Sequence, residues 1–261
     1  MDLLLNDQVA VVTGASKGIG LAVTKALVAE GAVVIAGARS SSTELDALAA
    51  AGSVEVVAVD LSTAEGATAL VDRALARGRV DVLVNNVGAV SPRTGGFVSV
   101  TDEQWIGSLM INLLPAVRVT RGVLPLMLAA GRGCIVTTSS VNAALPDPGV
   151  IDYGAAKAAL ANFCKSLSKE VGPSGVRVNT VSPGPIATDL WFGDAGVAQT
   201  VAAAGGGDPA AVAASVAKES VTGRFTHPDE VADLVVFLAS PRSGNTTGTD
   251  VRIDGGLVTT L

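Results

Sequence analysis

One tyrosine and one lysine are spaced so that they could carry out proton transfer. Tyr153 is the only tyrosine of the chain, and Lys157 follows it by four residues. On a helix this spacing places the phenol and the ammonium on one face, one turn apart. A neighbouring cation favours the phenolate and is expected to lower the tyrosine pKa from about 10 toward working pH. The pair is a candidate general acid or base, although the same spacing also occurs on ordinary helices.

The segment that follows the first apolar run has the composition of a phosphate-binding turn. It reads Thr-Gly-Ala-Ser-Lys-Gly-Ile-Gly over residues 13–20 and leads into a helix expected to begin near Leu21. Glycines let the backbone approach a pyrophosphate, and a helix N-terminus offers N–H groups and partial positive charge. A tight structural connection could use the same residues, but the position after the first strand favours a dinucleotide. The predicted contacts are Gly14, Ser16, Lys17, Gly18, Ile19 and Gly20.

The end of the second apolar run indicates which dinucleotide is preferred. An acidic residue there would bind the ribose 2'-hydroxyl of NAD, whereas an arginine accommodates the 2'-phosphate of NADP. The run ends in Ala38, Arg39 and Ser40, with no carboxylate, and Lys17 adds a second cation. The pattern favours NADP(H) over NAD(H), which stays open as the alternative. Arg39 could also be an ordinary surface charge.

The spacing of the apolar runs predicts the fold class. Short β-branched runs, apolar on both faces, alternate with helix-length segments, which is typical of a parallel sheet covered by helices on each side. The chain is therefore expected to be a doubly wound, Rossmann-like α/β protein, with residues 1–261 forming one domain. The predicted strands are Val9 to Thr13, Val33 to Ala36, Val54 to Val59, Val82 to Val84, Cys134 to Thr138, Val176 to Val181 and Val251 to Ile253.

Three connecting segments have the pattern of helices with an Ala, Leu and Val face. They run from Leu21 to Glu30, from Ala64 to Gly78 and from Tyr153 to Val171. Glycines at 31, 78 and 172 are expected to end them. A longer apparent helix, Thr101 to Ala130, contains Pro115, which cannot donate a hydrogen bond to the carbonyl of Ile111. We expect a kink close to Asn112.

The segment 185–224 interrupts this regular alternation. It is rich in Gly, Pro and Ala, and within it Asp208 and Pro209 have the pattern of an N-cap and first helical residue before a short helix, Ala210 to Lys218. A helix flanked by glycines is expected to form a mobile substrate lid. Its apolar residues suit an apolar substrate, although they could equally pack the lid onto its own domain or a neighbouring subunit; they are Leu190, Trp191, Phe192, Val197 and Val201.

Composition and charge exclude several classes of function. The formal net charge of -6, with no run of Lys or Arg, does not support a nucleic-acid or acidic-membrane partner. Cys134 and Cys164 lack metal-ligand spacing, and the single histidine, His227, has the pattern of a helix start, so no metal site is expected. Without a secretory signal or an uninterrupted membrane span, the protein is expected to be cytoplasmic and to act on small molecules.

Several ordered motifs together resemble the short-chain dehydrogenase/reductase family over essentially the full length. Agreement at this many ordered points is more specific than any single motif. The resemblance rests on Thr13 to Gly20, Asp60-Leu61, Asn85-Asn86-Val87-Gly88, Asn112, Ser140, Tyr153, Lys157, Pro183 to Thr188 and Asp254-Gly255-Gly256. Val87 departs from the family, which usually has alanine there. The added bulk could alter the fit at the cofactor ribose without abolishing binding.

The resemblance implies further cofactor contacts. It places Asp60 and Leu61 near adenine, Asn86 and Gly88 near the cofactor ribose, and Tyr153 and Lys157 near the nicotinamide. Contacts near the nicotinamide amide are implied for the segment after the sixth predicted strand, namely Pro183, Gly184, Ile186 and Thr188.

The resemblance also implies a catalytic set of Asn112, Ser140, Tyr153 and Lys157. In carbonyl reduction Tyr153 would protonate the alkoxide and Ser140 would hydrogen-bond the same oxygen. Lys157 would lower the tyrosine pKa and bind the nicotinamide ribose, and Asn112 would hold a relay water. The family serine lies thirteen residues before the tyrosine, which selects Ser140 over Ser139.

The implied reaction is the interconversion of a ketone and a secondary alcohol, with a 3-oxoacyl thioester or a secondary-metabolite ketone as the substrate. Two rivals are a non-catalytic dinucleotide-binding redox sensor and a sugar-nucleotide epimerase or dehydratase. The complete catalytic set argues against the first, and the short C-terminal region argues against the second. Family members are commonly tetramers or dimers, and the helices around 113–130 and 155–167 are expected to supply such an interface.

Overall fold

The chain folds around a parallel sheet in which successive strands are added first toward one edge and then, after a single switch, toward the other. The computed structural model describes residues 1–260 and places seven strands in the order β3-β2-β1-β4-β5-β6-β7. From β1 the chain builds outward to β3 and then returns to build the other half from β4. The strands are β1 (Val9–Thr13), β2 (Val33–Ala38), β3 (Val54–Ala58), β4 (Val82–Asn85), β5 (Gly133–Thr138), β6 (Val176–Pro183) and β7 (Asp250–Ile253).

Helices cover both faces of this sheet, which explains why its strands are apolar on both sides. One core contains Val12 and Val136 of the sheet with Leu27 and Val235 of the helices. The other core, on the opposite face, includes Leu160. The helices are α1 (Gly18–Ala29), α2 (Thr43–Ala50), α3 (Ala64–Leu75), α4 (Asp102–Asn112), α5 (Leu114–Ala130), α6 (Ile151–Val171), α7 (Asp189–Phe192), α8 (Val197–Gly205), α9 (Pro209–Glu219) and α10 (Pro228–Ala239).

The predicted doubly wound α/β fold and its seven strands are confirmed, and the helices differ from their predicted bounds by a few residues. Helix α1 begins at Gly18, three residues earlier than expected near Leu21. Gly31 and Gly78 follow their helices with positive φ, as predicted. Helix α6 ends at Val171 with Gly172 as its C-cap, as predicted, but the φ of Gly172 is -55° and the chain continues into a short 3-10 turn. The positive φ falls at Gly175 instead.

The long apolar segment from Asp102 to Ala130 is divided at the predicted place. Helix α4 ends at Asn112, Leu113 separates the two helices, and Pro115 lies in the first turn of α5. By length and hydropathy alone this segment could cross a membrane. Within the fold, however, α5 packs against α3 and α4 packs against α6, so the segment belongs to the helical layer on one face of the sheet.

The predicted lid contains three helices, of which the sequence indicated one. Helix α9 begins after Asp208, whose Oδ1 accepts a 3.2 Å hydrogen bond from the Ala210 N–H, so this predicted N-cap is confirmed. Helices α7 and α8 precede it within a glycine-rich stretch. Lid residues Ala198 and Ala213 form a small buried apolar cluster with Phe225, which directly follows the lid.

His227 serves a structural role, as its sequence context indicated. It is the N-cap of α10, and Pro228 is the first helical residue. The His227 backbone N–H donates a 2.8 Å hydrogen bond to the carboxylate of Glu230. The same carboxylate pairs with Arg224, which joins the end of the lid to the start of α10.

Candidate active site

The carboxyl ends of β1 and β4 form a crevice where the strand order reverses, the usual ligand position in open α/β sheets. The Thr13 hydroxyl accepts hydrogen bonds from the backbone N–H groups of Asn86 (2.8 Å) and Val87 (3.2 Å). In return, Asn86 Nδ2 donates to the carbonyls of Thr13 (3.1 Å) and Gly14 (3.3 Å). The glycine turn and the Asn85 to Gly88 segment are thus tied together at the crevice.

The glycine turn forms a cradle with room for backbone but not for side chains. Gly14 has a φ of +69°, and a Cβ at Gly20 would lie 2.1 Å from the Gly14 carbonyl oxygen. Because α1 begins at Gly18, the free N–H groups of its first turn lie at the mouth of this cradle. A Cβ at Gly18 would come within 3.3 Å of Thr188, so the cradle also borders the segment after β6. This geometry fits a pyrophosphate.

The residues predicted to select the dinucleotide lie on the exposed side of the crevice. Lys17 and Arg39 are exposed, at the N-cap of α1 and directly after β2. Asp60 is also exposed, and two hydrogen bonds from Ser62 occupy one of its oxygens. These hydrogen bonds and, to a smaller extent, the Arg39 charge lower the Asp60 pKa. Asp60 and Arg39 therefore face the same corner.

Leu61 differs from the other adenine-side residues in its burial. Its side chain is 3% exposed and belongs to the core that contains Leu70 and Val71. Val87 also packs against this core, and one of its methyl groups would lie 3.2 Å from a Cβ at Gly14. The departure from the family at Val87 therefore adds bulk against the glycine turn itself.

Lys157 is a buried cation at the centre of the site. Its side chain lies on α6, and Nζ donates a 2.8 Å hydrogen bond to the Thr138 carbonyl at the end of β5. The same Nζ lies 5.8 Å from the centroid of the Tyr153 ring, so the predicted shared helix face is confirmed. Burial lowers the pKa of Lys157 to about 8.

The direction of the Tyr153 pKa shift differs from the expectation. Burial raises its pKa above 10, while the neighbouring Ser140 hydroxyl acts in the opposite direction. The predicted depression of the Tyr153 pKa by Lys157 was therefore wrong for this structure: desolvation of the phenolate is the largest influence, and the Lys157 Nζ donates to the Thr138 carbonyl. At neutral pH the phenol keeps its proton.

The two candidate serines have different surroundings. Ser140 Oγ lies 3.3 Å from Asn142 Oδ1 and accepts a 3.2 Å hydrogen bond from the Asn142 N–H. Ser139 is 3% exposed, and within residues 1–260 its hydroxyl has no hydrogen-bond partner. The Ser140 hydroxyl also lies close enough to Tyr153 to lower the pKa of the phenol, whereas the Ser139 hydroxyl makes no hydrogen bond within these residues.

Asn112 joins the break between α4 and α5 to the loop after β4. Its Oδ1 accepts a 3.0 Å hydrogen bond from the Ala89 N–H, and its Nδ2 donates to the carbonyls of Ala89 (2.9 Å) and Ser108 (3.1 Å). A Cβ at Gly88 would lie 3.0 Å from Asn112 Oδ1 and 3.3 Å from Lys157 Nζ. Gly88 thus lets the loop pass between two members of the predicted catalytic set.

The segment after β6 closes the other side of the crevice. The Gly184 N–H donates a 3.0 Å hydrogen bond to the Ile253 carbonyl, directly after Pro183 ends the strand. Ile186 is buried and pairs with Thr226 in an isolated β-bridge. Thr188 is the N-cap of α7, where the lid begins. The predicted nicotinamide-side residues are therefore anchored where sheet and lid meet.

Sequence reasoning missed the groups that hold these residues in place. Thr13 and Thr138 supply the hydroxyl and the carbonyl that position Asn86 and Lys157. Arg93 forms a buried ion pair with Asp152, the residue before Tyr153. An acidic residue in the first turn of a helix was a visible signal, but its partner lies 59 positions away. Among residues 1–260 there is no cluster of three metal-ligating side chains.

Comparisons with known proteins agree with this geometry. A family model described as "Enoyl-(Acyl carrier protein) reductase" matches residues 14–258. The chain is 38% identical to the short-chain reductase protein NovJ of Streptomyces niveus, over 96% of this chain and 94% of that protein. It is 34% identical to the 3-oxoacyl-[acyl-carrier-protein] reductase FabG of Thermotoga maritima, over 97% and 99% of the two chains.

A solved structure shows the same architecture over the whole length. It is the L-sorbose reductase of Gluconobacter frateurii complexed with NADPH and L-sorbose, which matches with a TM-score of 0.91 and 36% identity over 100% of both chains. Sequence, fold and site geometry lead to one assignment: the chain belongs to the short-chain dehydrogenase/reductase family and is an oxidoreductase.

Proposed function

We propose that the protein interconverts a ketone and a secondary alcohol with NADP(H), using Tyr153 as the general acid or base. The observation that carries this proposal is the convergence of Tyr153, Lys157 and Ser140 beside a glycine cradle at the strand-order reversal. Asn112 borders the same space through Gly88. A proton donor and a dinucleotide cradle in one crevice suit hydride transfer coupled to proton transfer.

NADP(H) is the proposed cofactor because the residues present fit it. The side-chain-free cradle at Gly14 and Gly20 suits the pyrophosphate, and Lys17 and Arg39 offer two exposed cations for a 2'-phosphate. The sorbose reductase of the same fold is complexed with NADPH. When bound, the nicotinamide supplies or accepts the hydride. Tyr153 and Lys157 would contact its ribose, and Ile186 and Thr188 its amide.

The protonation state of the site suits the general-acid role that carbonyl reduction requires of Tyr153. Because the Tyr153 pKa is raised, the phenol carries a proton at neutral pH and can donate it to the oxygen that gains charge. Ser140 would hydrogen-bond the same oxygen and stabilise its developing charge. Lys157 would hold the ribose and stabilise the phenolate left behind, and Asn112 would hold a water that returns the proton.

The lid supports a largely apolar substrate, with a 3-oxoacyl thioester or a secondary-metabolite ketone as the two proposed classes. Trp191 packs within the lid cluster, with its ring centroid 5.1 Å from that of Phe225. Leu190 and Val201 are exposed, and Phe192 is exposed although its ring centroid also lies 5.0 Å from that of Phe225. The apolar residues are thus divided between lid packing and exposed positions available to a substrate. The relatives do not decide the class, since they include a 3-oxoacyl reductase and a sorbose reductase.

The non-catalytic redox sensor has no observation in its favour. Such a protein would not need a buried lysine aligned with a tyrosine, yet Lys157 is held in that position by Thr138. Lid mobility, a cytoplasmic location and a homotetramer or homodimer built on α5 and α6 stay predictions. Exposed Ile106 and Leu128 lie on α4 and α5 and provide apolar surface for such an interface.

The proposed function is tested by following NADPH oxidation against 3-oxoacyl thioesters, cyclic ketones and larger polyketide-like ketones. We expect turnover with at least one apolar ketone and a higher kcat/KM with NADPH than with NADH. A preference for NADH would contradict the cofactor proposal. Failure of the purified, folded protein to oxidise NADPH or NADH with any ketone, and to reduce NADP with the matching alcohols, would contradict the enzyme proposal.

A further inference from the structure

An ion pair with a buried carboxylate lies directly against the first turn of the helix that carries Tyr153. The side chain of Asp152 is 2% exposed and that of Arg93 is 14% exposed. Both guanidinium Nε, at 3.0 Å, and one terminal nitrogen donate to the two Asp152 oxygens, so the pair is bidentate. Burial alone would raise the Asp152 pKa, but Arg93 and the N–H groups of Asp152 and Tyr153 lower it. Asp152 is therefore ionised and bonded to the catalytic turn.

Backbone hydrogen bonds add further contacts between the loop that bears Arg93 and the turn that leads into α6. The Arg93 N–H donates a 2.7 Å hydrogen bond to the Gly149 carbonyl. The Asp147 carboxylate in turn accepts a 2.7 Å hydrogen bond from the Gly149 N–H, which fixes the turn that leads into α6. Arg93 thus binds this segment at two points. Its backbone N–H donates to Gly149, and its side chain donates to Asp152.

The loop that bears Arg93 is the one that Asn112 holds at Ala89. It leaves β4, passes Lys157 at Gly88 and reaches Asp152 four residues after Ala89. The loop is consequently fixed at one end to the α4–α5 break and at the other to the start of α6. Its two attachment points flank the catalytic set.

We infer that the Arg93–Asp152 pair positions Tyr153 for proton transfer by locking the first turn of α6 to the loop after β4. This inference rests on the proposed function. Net stability is a weak reason for such a pair, because replacing a buried pair by apolar residues is often neutral or stabilising, whereas removing one partner leaves a buried charge unpaired. A bidentate ion pair fixes the distance and relative orientation of the two segments that it joins more closely than apolar contacts do.

The test compares Arg93→Met with the double variant Arg93→Met/Asp152→Leu. Arg93→Met is expected to lower Tm and to lower kcat about tenfold or more, with the KM for NADPH unchanged, because the phenol loses its alignment. The double variant should regain Tm, since it has no unpaired charge, while kcat stays low. Arg93→Lys should rescue kcat in part, because an ammonium keeps the positive charge but cannot make the bidentate contact of a guanidinium.

Arg73→Met is the control for loss of an arginine ion pair away from the site, because Arg73 pairs with Glu55 at the far edge of the sheet, on β3 and α3. It should change neither kcat nor KM. Wild-type kcat in Arg93→Met, or recovery of kcat together with Tm in the double variant, would overturn the inference. If Arg93→Met does not fold, the double variant decides by the same criterion. A folded wild type that turns over no ketone contradicts the proposed function, whereas an active wild type with unaffected variants contradicts this inference alone.

Discussion

The two halves of the crevice are held in different ways. On the catalytic side, Asn112 and Lys157 are 1% and 3% exposed and have specific side-chain hydrogen bonds to backbone groups. On the phosphate side, Lys17 and Arg39 are exposed, while the glycine backbone of the cradle is held by the side chains of Thr13 and Asn86. Side chains are thus fixed where the proposed proton transfer requires alignment, and the two cations are left free where the proposed contact with a phosphate requires only proximity. Substitutions on the catalytic side should lower kcat, whereas substitutions on the phosphate side should weaken cofactor recognition.

The largest effect is expected from removing the proton donor. Tyr153→Phe should lower kcat by about a thousandfold, within the range of general acid catalysis. The affinity for NADPH should stay near that of the wild type, because the phosphate side is untouched. Steady-state kinetics with the best ketone measure the fall in kcat, and a fluorescence titration with NADPH measures the cofactor affinity. A weaker affinity of Tyr153→Phe for NADPH would contradict the assignment of turnover and cofactor recognition to separate sides of the crevice.

A smaller effect is expected at Ser140, and its neighbour provides the control. Ser140→Ala should lower kcat about a hundredfold through loss of a hydrogen bond to the developing oxyanion. Ser139→Ala should leave kcat unchanged and keep or raise Tm, since it removes a buried hydroxyl that has no partner within the described residues. Equal losses of kcat in the two variants would mean that the serine assignment is wrong.

On the phosphate side, the expected effect is confined to one cofactor. Arg39→Ala should lower kcat/KM for NADPH by about tenfold or more, the value of a hydrogen bond to a charged group, and leave NADH unaffected. The ratio of the two kcat/KM values is the quantity to measure. A parallel fall with both cofactors would show that Arg39 supports the fold rather than the 2'-phosphate.

The last expected effect concerns stability and pH, with no change in turnover required. Burial lowers the Lys157 pKa from 10.5 to about 8, so between these pH values the unfolded chain binds more protons than the folded one. The Lys157 contribution to the free energy of unfolding therefore rises with pH across this window, and its burial penalty is fully present below pH 8. The Tm of Lys157→Met relative to wild type should be highest at pH 7 and fall toward pH 10. A constant difference would contradict the depressed pKa.

The sheet could be predicted from sequence because local patterns determine it. A strand such as Val9–Thr13 is apolar on both faces, and each such run proved to be a strand. Boundaries that depend on capping were less certain, since Gly18 begins α1 within the glycine turn and Gly175, not Gly172, takes the left-handed conformation. Helices α7 and α8 were hidden because glycines flank them.

The site could be predicted as a set of residues but not as an electrostatic environment. The spacing of Tyr153 and Lys157 indicated one shared face, which the structure confirms. The same spacing says nothing about burial, which reverses the expected shift of the tyrosine pKa. The Arg93–Asp152 pair joins residues 59 positions apart, so no local pattern could disclose it.

The most direct test of the account is to follow a labelled hydride. Wild-type protein would be supplied with the best ketone and NADPH deuterated at both C4 positions, and the alcohol analysed by mass spectrometry and NMR. The account predicts one deuterium on the carbinol carbon, formed at a rate that Tyr153→Phe lowers by about a thousandfold. An alcohol without deuterium at that carbon, or an undiminished rate in Tyr153→Phe, would contradict it.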